Sequence, residues 1–425
     1  MNLIALLLYC YLILFPFGQL TRLPLGISEI NLYLTDIFIT GLVVCWLGKK
    51  WIKREKFFSP LLARPILLFT ICCLLSLFIN TPLLSGREVV VALLYLARWI
   101  LYAGLYFVIN DLVQSSKFKV QSFLTSLTIV GVIAAVFGLL QYLFLPDTRF
   151  LEKYGWDPHL YRVIGTFLDP GFLGLILVFT LILLTVKLWP ARKLSSIKGL
   201  VDDKWRLVAW IVVYLALALT YSRASYLAYL VGMGTIAWFK KSPKFFLTVL
   251  FLGMVTIFLL PRPGGEGVRL ERESTIQFRL INYDQSLVIV RDNPLFGVGF
   301  NAYRYAQGRH GFLTGEELKS SHAGAGGDSS LLFVLATTGL VGVSVYFWLW
   351  GKALWLGKAN PLVLATLFSA LIHSFFTNSL FYPWVMAWLW LVLGLVKENK
   401  KSSVLFWFRS RLYPEQLKSV YFHLR

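Results

Sequence analysis

Charge is what this chain lacks most. Only 15% of its 425 residues are Asp, Glu, Lys or Arg, and the mean hydropathy is +0.69. Soluble domains carry roughly a quarter charged residues, so a water-soluble globule is excluded. Cysteine is nearly absent too. Cys10, Cys45, Cys72 and Cys73 all fall inside apolar runs, which excludes a disulfide framework and a zinc site. No nucleophile elbow, Walker loop or dinucleotide fingerprint precedes a helix. No His/Cys cluster has metal spacing, and the adjacent acid pairs are Asp202-Asp203 and Glu316-Glu317. ATP use, a cofactor and a tight metal site are therefore not expected. No internal repeat is visible, which weighs against a transporter, where repeats are common.

What the chain has instead is long apolar runs. Twelve are read as membrane spans: 2–19, 30–47, 61–79, 89–109, 121–145, 165–188, 206–220, 224–239, 245–261, 330–350, 361–379 and 381–396. Each is continuously apolar rather than alternating, so a barrel is excluded. Helices satisfy their own backbone groups in lipid, and the expected fold class is an all-α polytopic membrane protein. The first run lacks a basic leader and a small-residue cleavage site, so it reads as a mature helix rather than a signal peptide. Residues 1–396 form a single transmembrane domain in this reading, followed by a basic tail at 397–425.

The formal net charge of +20 could suggest nucleic acid, but its placement argues against it. Lys49, Lys50, Lys53, Arg54 and Lys56 fall in one connection. Lys117, Lys119, Arg192, Lys193, Lys198, Lys240, Lys241, Lys244, Lys352, Lys358 and the basic tail fall in connections on that same side. This is the positive-inside pattern. It puts both termini in the cytoplasm, with the excess charge drawn to anionic lipid heads of the bilayer. The longest connection, 262–329, then lies outside the cytoplasm. Long loops are usually functional or disordered. This one contains an apolar pattern at Phe278, Ile281, Leu287, Val288 and Val290 that predicts a helix across the outer membrane face, ended at Asp292-Asn293 before Pro294.

Charged groups at membrane depth mark a site or a partner. Arg98 pairs with Asp36 or contacts a substrate phosphate. Asp169 opens the sixth span in "GTFLDPGFLG". Arg223, in "TYSRASYLA", sits in a tight turn flanked by Ser222 and Ser225. It either reaches lipid heads or helps a helix N-terminus hold a phosphate. Seven of the eight basic residues in 262–329 are Arg, and Arg forks bind phosphate oxygens bidentately. Arg279 and Arg291 lie on the surface helix. His322 and Asp328 complete the set. His322 is a solvated loop histidine or a general base. Asp328 caps the next helix or stands at the site.

Three blocks resemble the O-antigen ligase and polymerase family of lipid-linked glycan assembly. "GTFLDPGFLG" (165–174) is similar to its Gly-Thr-Phe-x-Asn-Pro-Asn pattern, and "TYSRASYLAYLVG" (220–232) to its Thr-x-Ser-Arg-Gly pattern. "FRLINYDQSLVIVRDNPLFGVGFNAY" (278–303) is similar to its Arg-x-x-x-Trp…Asp-x-Pro-Leu-x-Gly-Val-Gly pattern. A fourth block ends in "TTGLVG" (337–342), and the likeness spans about residues 160 to 350. The resemblance implies a GT-C-like, metal-independent glycosyltransferase in the plasma membrane, active on its outer face. Its donor would be a glycan on polyprenyl pyrophosphate. Its acceptor would be a hydroxyl on a glycan, lipid or protein. Arginines matching Arg223 and Arg279 hold the pyrophosphate in the family, and a histidine takes the acceptor proton. The alternative is a transporter or flippase for a lipid-linked or small anionic substrate. Asp169 and Gly171 stand where the family prefers Asn, Ala224 replaces its Gly and Tyr283 its Trp. Counted back from Gly339, the family's histidine falls on Asp328, with His322 six residues earlier.

Overall fold

The computed structural model describes residues 3–23, 29–55, 59–115, 118–188, 197–315 and 326–398. All twelve apolar segments are helical. In chain order they are α1 (Leu3–Leu14), α2 (Leu34–Ile52), α3 (Ala63–Asn80), α4 (Gly86–Gln114), α5 (Val120–Phe144) and α6 (Pro170–Leu188). Then come α7 (Ile197–Ala218), α8 (Arg223–Phe239) and α9 (Pro243–Leu259). The helices α10 (Ser274–Asp292) and α11 (Tyr303–Arg309) lie in the long connection. They are followed by α12 (Ser330–Gly357), α13 (Pro361–His373) and α14 (Pro383–Gly394). A short antiparallel ribbon pairs Arg22 with Tyr33 and Leu23 with Leu32.

Local chemistry sets the helix starts. Pro occupies the first position of α6, α9, α13 and α14, where its missing N–H costs nothing. Ser85 accepts from Glu88 N at 3.3 Å while Glu88 accepts from Ser85 N at 2.7 Å, a capping box that opens α4.

The segments differ in length more than the sequence suggests. Among the described residues, six are long and apolar enough to cross a membrane: Leu3–Thr21, Ala63–Leu83, Gly86–Gln114, Val120–Phe144, Pro170–Leu188 and Ser330–Gly357. The last two expected spans shrink to helices of 13 and 12 residues, because 374–382 is a turn. A 12-residue helix rises only about 18 Å, short of a bilayer core. Every residue of α14 is buried, so it is a central post rather than a lipid-facing span. α4, α6, α12 and α13 pack around it. The outside of the bundle is apolar. Phe78, Phe144 and Phe258 are each more than three-quarters exposed, and α9 buries only Val249. Such an exterior belongs against lipid rather than water, and the chain is a multi-pass membrane protein.

α10 is present and ends at Asp292, as its pattern predicts. Its apolar stripe does not pack inward. Phe278, Ile281, Leu287 and Val288 are exposed, and the helix buries only Ser286 and Ile289 while packing against α12. A stripe on a helix at the rim of a membrane protein has lipid as well as core to face, and the sequence pattern does not distinguish the two.

The chain after α10 docks into a break in α12. Gly339 has φ +65°, and its non-helical backbone frees groups that 294–299 uses. Val298 N donates to Ala336 O at 3.0 Å and Gly299 N to Thr337 O at 3.1 Å. In return Leu340 N donates to Pro294 O at 2.8 Å and Val341 N to Leu295 O at 3.2 Å. Asn80 Nδ2 donates to Gly297 O at 2.9 Å, and Ser76 Oγ lies 2.6 Å from both Phe296 O and Thr337 O. A Cβ on Gly339 would collide with the Leu295 carbonyl, and one on Gly297 with the Thr337 backbone. These glycines are what let two of the sequence blocks lie against each other. Gly339→Ala is expected to cost about 1–3 kcal/mol from backbone strain alone, read as a lower melting temperature of the detergent-solubilised protein.

Candidate functional site

Three recesses meet at the end of the bundle that carries 262–329. The first has a volume of about 490 Å³ and is walled by arginines from four separate stretches: Arg149 and Arg162, Arg223, Arg272, and Arg279. The α7–α8 turn builds one side. Tyr221 takes φ +51° there, and Ser222 accepts from Ser225 N at 3.3 Å to start α8. Arg162 holds this turn, donating from Nε to Thr220 O at 2.9 Å and from Nη2 to Tyr221 O at 3.5 Å. Arg272 is fixed by carbonyls too, with Nη1 2.9 Å from Gly267 O and 2.7 Å from Arg269 O. Arg223 donates from Nη1 to Leu270 O at 3.2 Å and Arg272 O at 3.0 Å, while its Nη2 is buried with no partner among the described residues. Arg279 lies half-buried over the Phe376 ring, 5.8 Å from its centroid.

Among the described residues, none of Arg162, Arg223, Arg272 and Arg279 has a carboxylate within ion-pair distance. The cost is visible at Arg162 and Arg272. Burial and mutual repulsion pull Arg162 and Arg272 down to about 10. The buried His159 in the same wall is driven to about 3 by burial and by those two guanidiniums. It is neutral, with Nε2 unpartnered. Asp157, Asp169 and Glu266 line the pocket as well, but five guanidiniums outnumber these three carboxylates, and the excess of positive charge suits an anion.

The second recess is an apolar groove of about 380 Å³ between α8 and α10, walled by Ala224, Leu227, Ile276, Leu280, Tyr283 and Phe376. Arg223 and Arg279 line it as well, so the two guanidiniums stand where the groove meets the arginine pocket.

The third recess, about 300 Å³, lies on the other side. Asp157, Asp169 and Thr377 line both it and the arginine pocket. Asp328 and Arg98 line only this third one. Asp328 does not cap α12. Ser329 holds that position, accepting from Leu332 N at 3.5 Å. The Asp328 backbone is fixed by Asn282 Oδ1, which accepts its N–H at 2.8 Å. Burial pushes the Asp328 carboxyl up, and the Arg279 guanidinium pulls it partly back.

Residues 207–347 match the O-antigen ligase family. A search of curated proteins found no match. The matched stretch runs from α7 into α12 and supports a role in cell-surface glycan assembly of the O-antigen ligase or polymerase type. It contains Arg223, Arg279, Arg291 and Asp328, and the resemblance read from the motif blocks holds over it.

The placement of the sequence candidates is uneven. Arg223, Arg279 and Asp169 share the arginine pocket. Arg291 is exposed near the end of α10 and lines none of the three recesses. His322 lies outside the described residues. Asp169 accepts from Phe172 N at 2.7 Å and so caps α6 while facing both pockets. Arg98 is the internal pair that its depth suggested. Its Nη2 is 2.8 Å from Asp36 Oδ2 and also donates to Asn31 O, with the Tyr95 and Tyr33 rings beside it. Asp36 takes a further bond from Tyr102 Oη at 2.8 Å. Arg98→Ala strands this buried carboxylate and is expected to cost about 3–5 kcal/mol, seen as a lower melting temperature that Asp36→Asn in the same chain partly restores.

Arg162 and His159 were not singled out from the sequence. They come from 145–164, which the charge pattern places on the same side as 262–329, and that shared side was the available signal. His373 was missed as well. It is buried beneath the arginine pocket, with Nε2 3.4 Å from Ser225 Oγ. Among the described residues, no group of three or more His, Cys, Asp or Glu could hold a metal ion.

Proposed function

We propose that the protein transfers a glycan from polyprenyl pyrophosphate to an acceptor hydroxyl at the outer face of the plasma membrane, as a ligase or polymerase of GT-C-like architecture. One observation carries this reading. Arg223 and Arg279 stand at the junction of an arginine-walled pocket and an apolar groove. A lipid pyrophosphate has the matching halves, a concentrated anion and a hydrocarbon tail. The tail lies in the groove between α8 and α10, and the exposed apolar stripe of α10 fits a helix seated in the lipid interface.

In the transfer, the acceptor oxygen attacks the anomeric carbon. The bond from that carbon to the pyrophosphate oxygen breaks, and its electron pair leaves with the lipid pyrophosphate. Arg223 and Arg279 neutralise the charge that develops there, with Arg162 and Arg272 adding to the positive potential. Four guanidiniums take the part that a metal ion plays elsewhere. The acceptor proton passes to Asp328 or His322. Both termini lie in the cytoplasm, and the three recesses face outward with 262–329.

The transporter alternative calls for a path through the middle of the bundle. The recesses instead draw their walls largely from connections at one end, and Arg98 is tied to Asp36. Purified protein in vesicles, given a glycan on polyprenyl pyrophosphate and a candidate acceptor, should yield a product whose mass is acceptor plus glycan. Movement of intact donor across the bilayer without a new glycosidic bond would refute the transferase reading.

A further inference from the structure

The third recess differs chemically from the arginine pocket it adjoins. Its one guanidinium, Arg98, is already engaged by Asp36. The other charged groups lining it are the carboxylates of Asp157, Asp169 and Asp328. Four amide side chains also line it, and three of them, Gln19, Asn31 and Asn378, each have a buried carbonyl oxygen with no hydrogen-bond donor among the described residues. Gln19 is only 7% exposed. A buried acceptor without a partner costs about 1–3 kcal/mol. Three around one recess are hard to account for as packing alone. The terminal torsions of Asn and Gln are broad and soft, so a small rotation presents each oxygen to the recess. Trp156, Phe172, Phe381 and Tyr382 supply apolar ring surface there, and Phe172 and Tyr382 are stacked at 3.8 Å.

We infer that this recess is a subsite for a neutral sugar, the acceptor end of the reaction. The inference rests on the glycosyl-transfer reading and names where its second substrate sits. A sugar ring offers several hydroxyl donors and an apolar face, which match orphaned carbonyls and aromatic rings. An anion here would meet Asp157, Asp169 and Asp328 beside one engaged guanidinium, whereas in the neighbouring pocket arginines outnumber the carboxylates, so an anion is directed there. The two recesses touch at Asp157, Asp169 and Thr377, and Asp328 faces the sugar side, so a hydroxyl in the third recess lies between its proton acceptor and the donor. The subsite is built largely outside the matched family stretch, with Gln19 and Asn31 from the N-terminal part of the chain and Asn378 from the α13–α14 turn. Acceptor choice is therefore set by segments other than those that hold the pyrophosphate.

The test uses full-length protein in detergent and saturation-transfer NMR with four neutral disaccharides: maltose, cellobiose, lactose and chitobiose. At least one is expected to give a signal that inorganic pyrophosphate does not displace. Gln19→Leu, Asn31→Leu and Asn378→Leu should each weaken it by roughly fivefold, the effect of removing a neutral acceptor. Farnesyl pyrophosphate binding, measured on the same samples, should stay unchanged, which shows that each variant is folded. Absence of signal from every disaccharide overturns the inference, as does a signal that survives all three substitutions or is displaced by pyrophosphate. Failure of the pyrophosphate-lipid reading looks different: wild-type protein would not bind farnesyl pyrophosphate, while the sugar signal would persist.

Discussion

Arg223→Ala and Arg279→Ala are each expected to lower glycan transfer by roughly 10²–10³-fold, the loss seen when one group that stabilises a developing oxyanion is removed. The measurement is product formation by reconstituted protein at saturating acceptor, with insertion checked by chromatography in detergent. Both side chains are only half-buried and neither has a carboxylate to strand, so the folded protein should survive. Arg223 has a buried Nη2 with no partner among the described residues, which is consistent with a group kept for a ligand. Lysine at either position keeps the charge and loses the fork, so it should recover only part of the rate. Arg162→Ala is a useful contrast. Arg162 pins the Thr220 and Tyr221 carbonyls of the α7–α8 turn, and its loss should lower protein yield along with activity. Wild-type transfer by both the Arg223 and Arg279 variants would remove the basis for a pyrophosphate site.

Much of this arrangement could be read from the sequence, and the reasons are physical. Continuous apolar runs have few alternatives to helices in lipid, so each of the twelve contains a helix, although among the described residues only six are long and apolar enough to cross a membrane. The Arg98–Asp36 pair was legible because two opposite charges at similar membrane depth have few other partners. Arg223 and Arg279 were singled out through turn geometry and helix position, and the fold brings them to one junction. Other features depend on tertiary docking. Nothing local in "TTGLVG" says that Gly339 breaks α12 so that 294–299 can bond into the gap. Nothing near Gln19 or Asn378 says that they line one recess, since 359 positions separate them and no periodicity connects them. The length of α14 was misjudged because a wholly buried helix and a lipid-facing one have the same composition. The arginine pocket was underestimated because Arg162 and His159 sit in a mixed polar and aromatic connection with no pattern of its own.

Asp328→Asn is the other substitution expected to have a large effect, a fall in transfer of about 10²–10⁴-fold, the usual contribution of a general base. The side chain lines the sugar-side recess, its capping role is taken by Ser329, and Asn282 holds its backbone. It acts as a base only when ionised. Burial raises its pKa above the ordinary carboxylate range, with Arg279 partly opposing. Transfer should therefore rise as pH climbs through that raised pKa and level off above it. Below it, the rate should fall about tenfold per pH unit as the carboxyl takes up its proton. The asparagine variant should lose this acid limb together with the rate, whereas a purely structural role would lower the rate and leave the profile's shape unchanged. Arg279→Ala should shift the limb to higher pH in whatever activity remains, since it removes a nearby cation that favours the carboxylate. His322→Ala, assayed in parallel, decides the assignment. Loss of transfer and of the acid limb in that variant alone would give the proton to His322, and full activity in both would show that the acceptor needs no protein base.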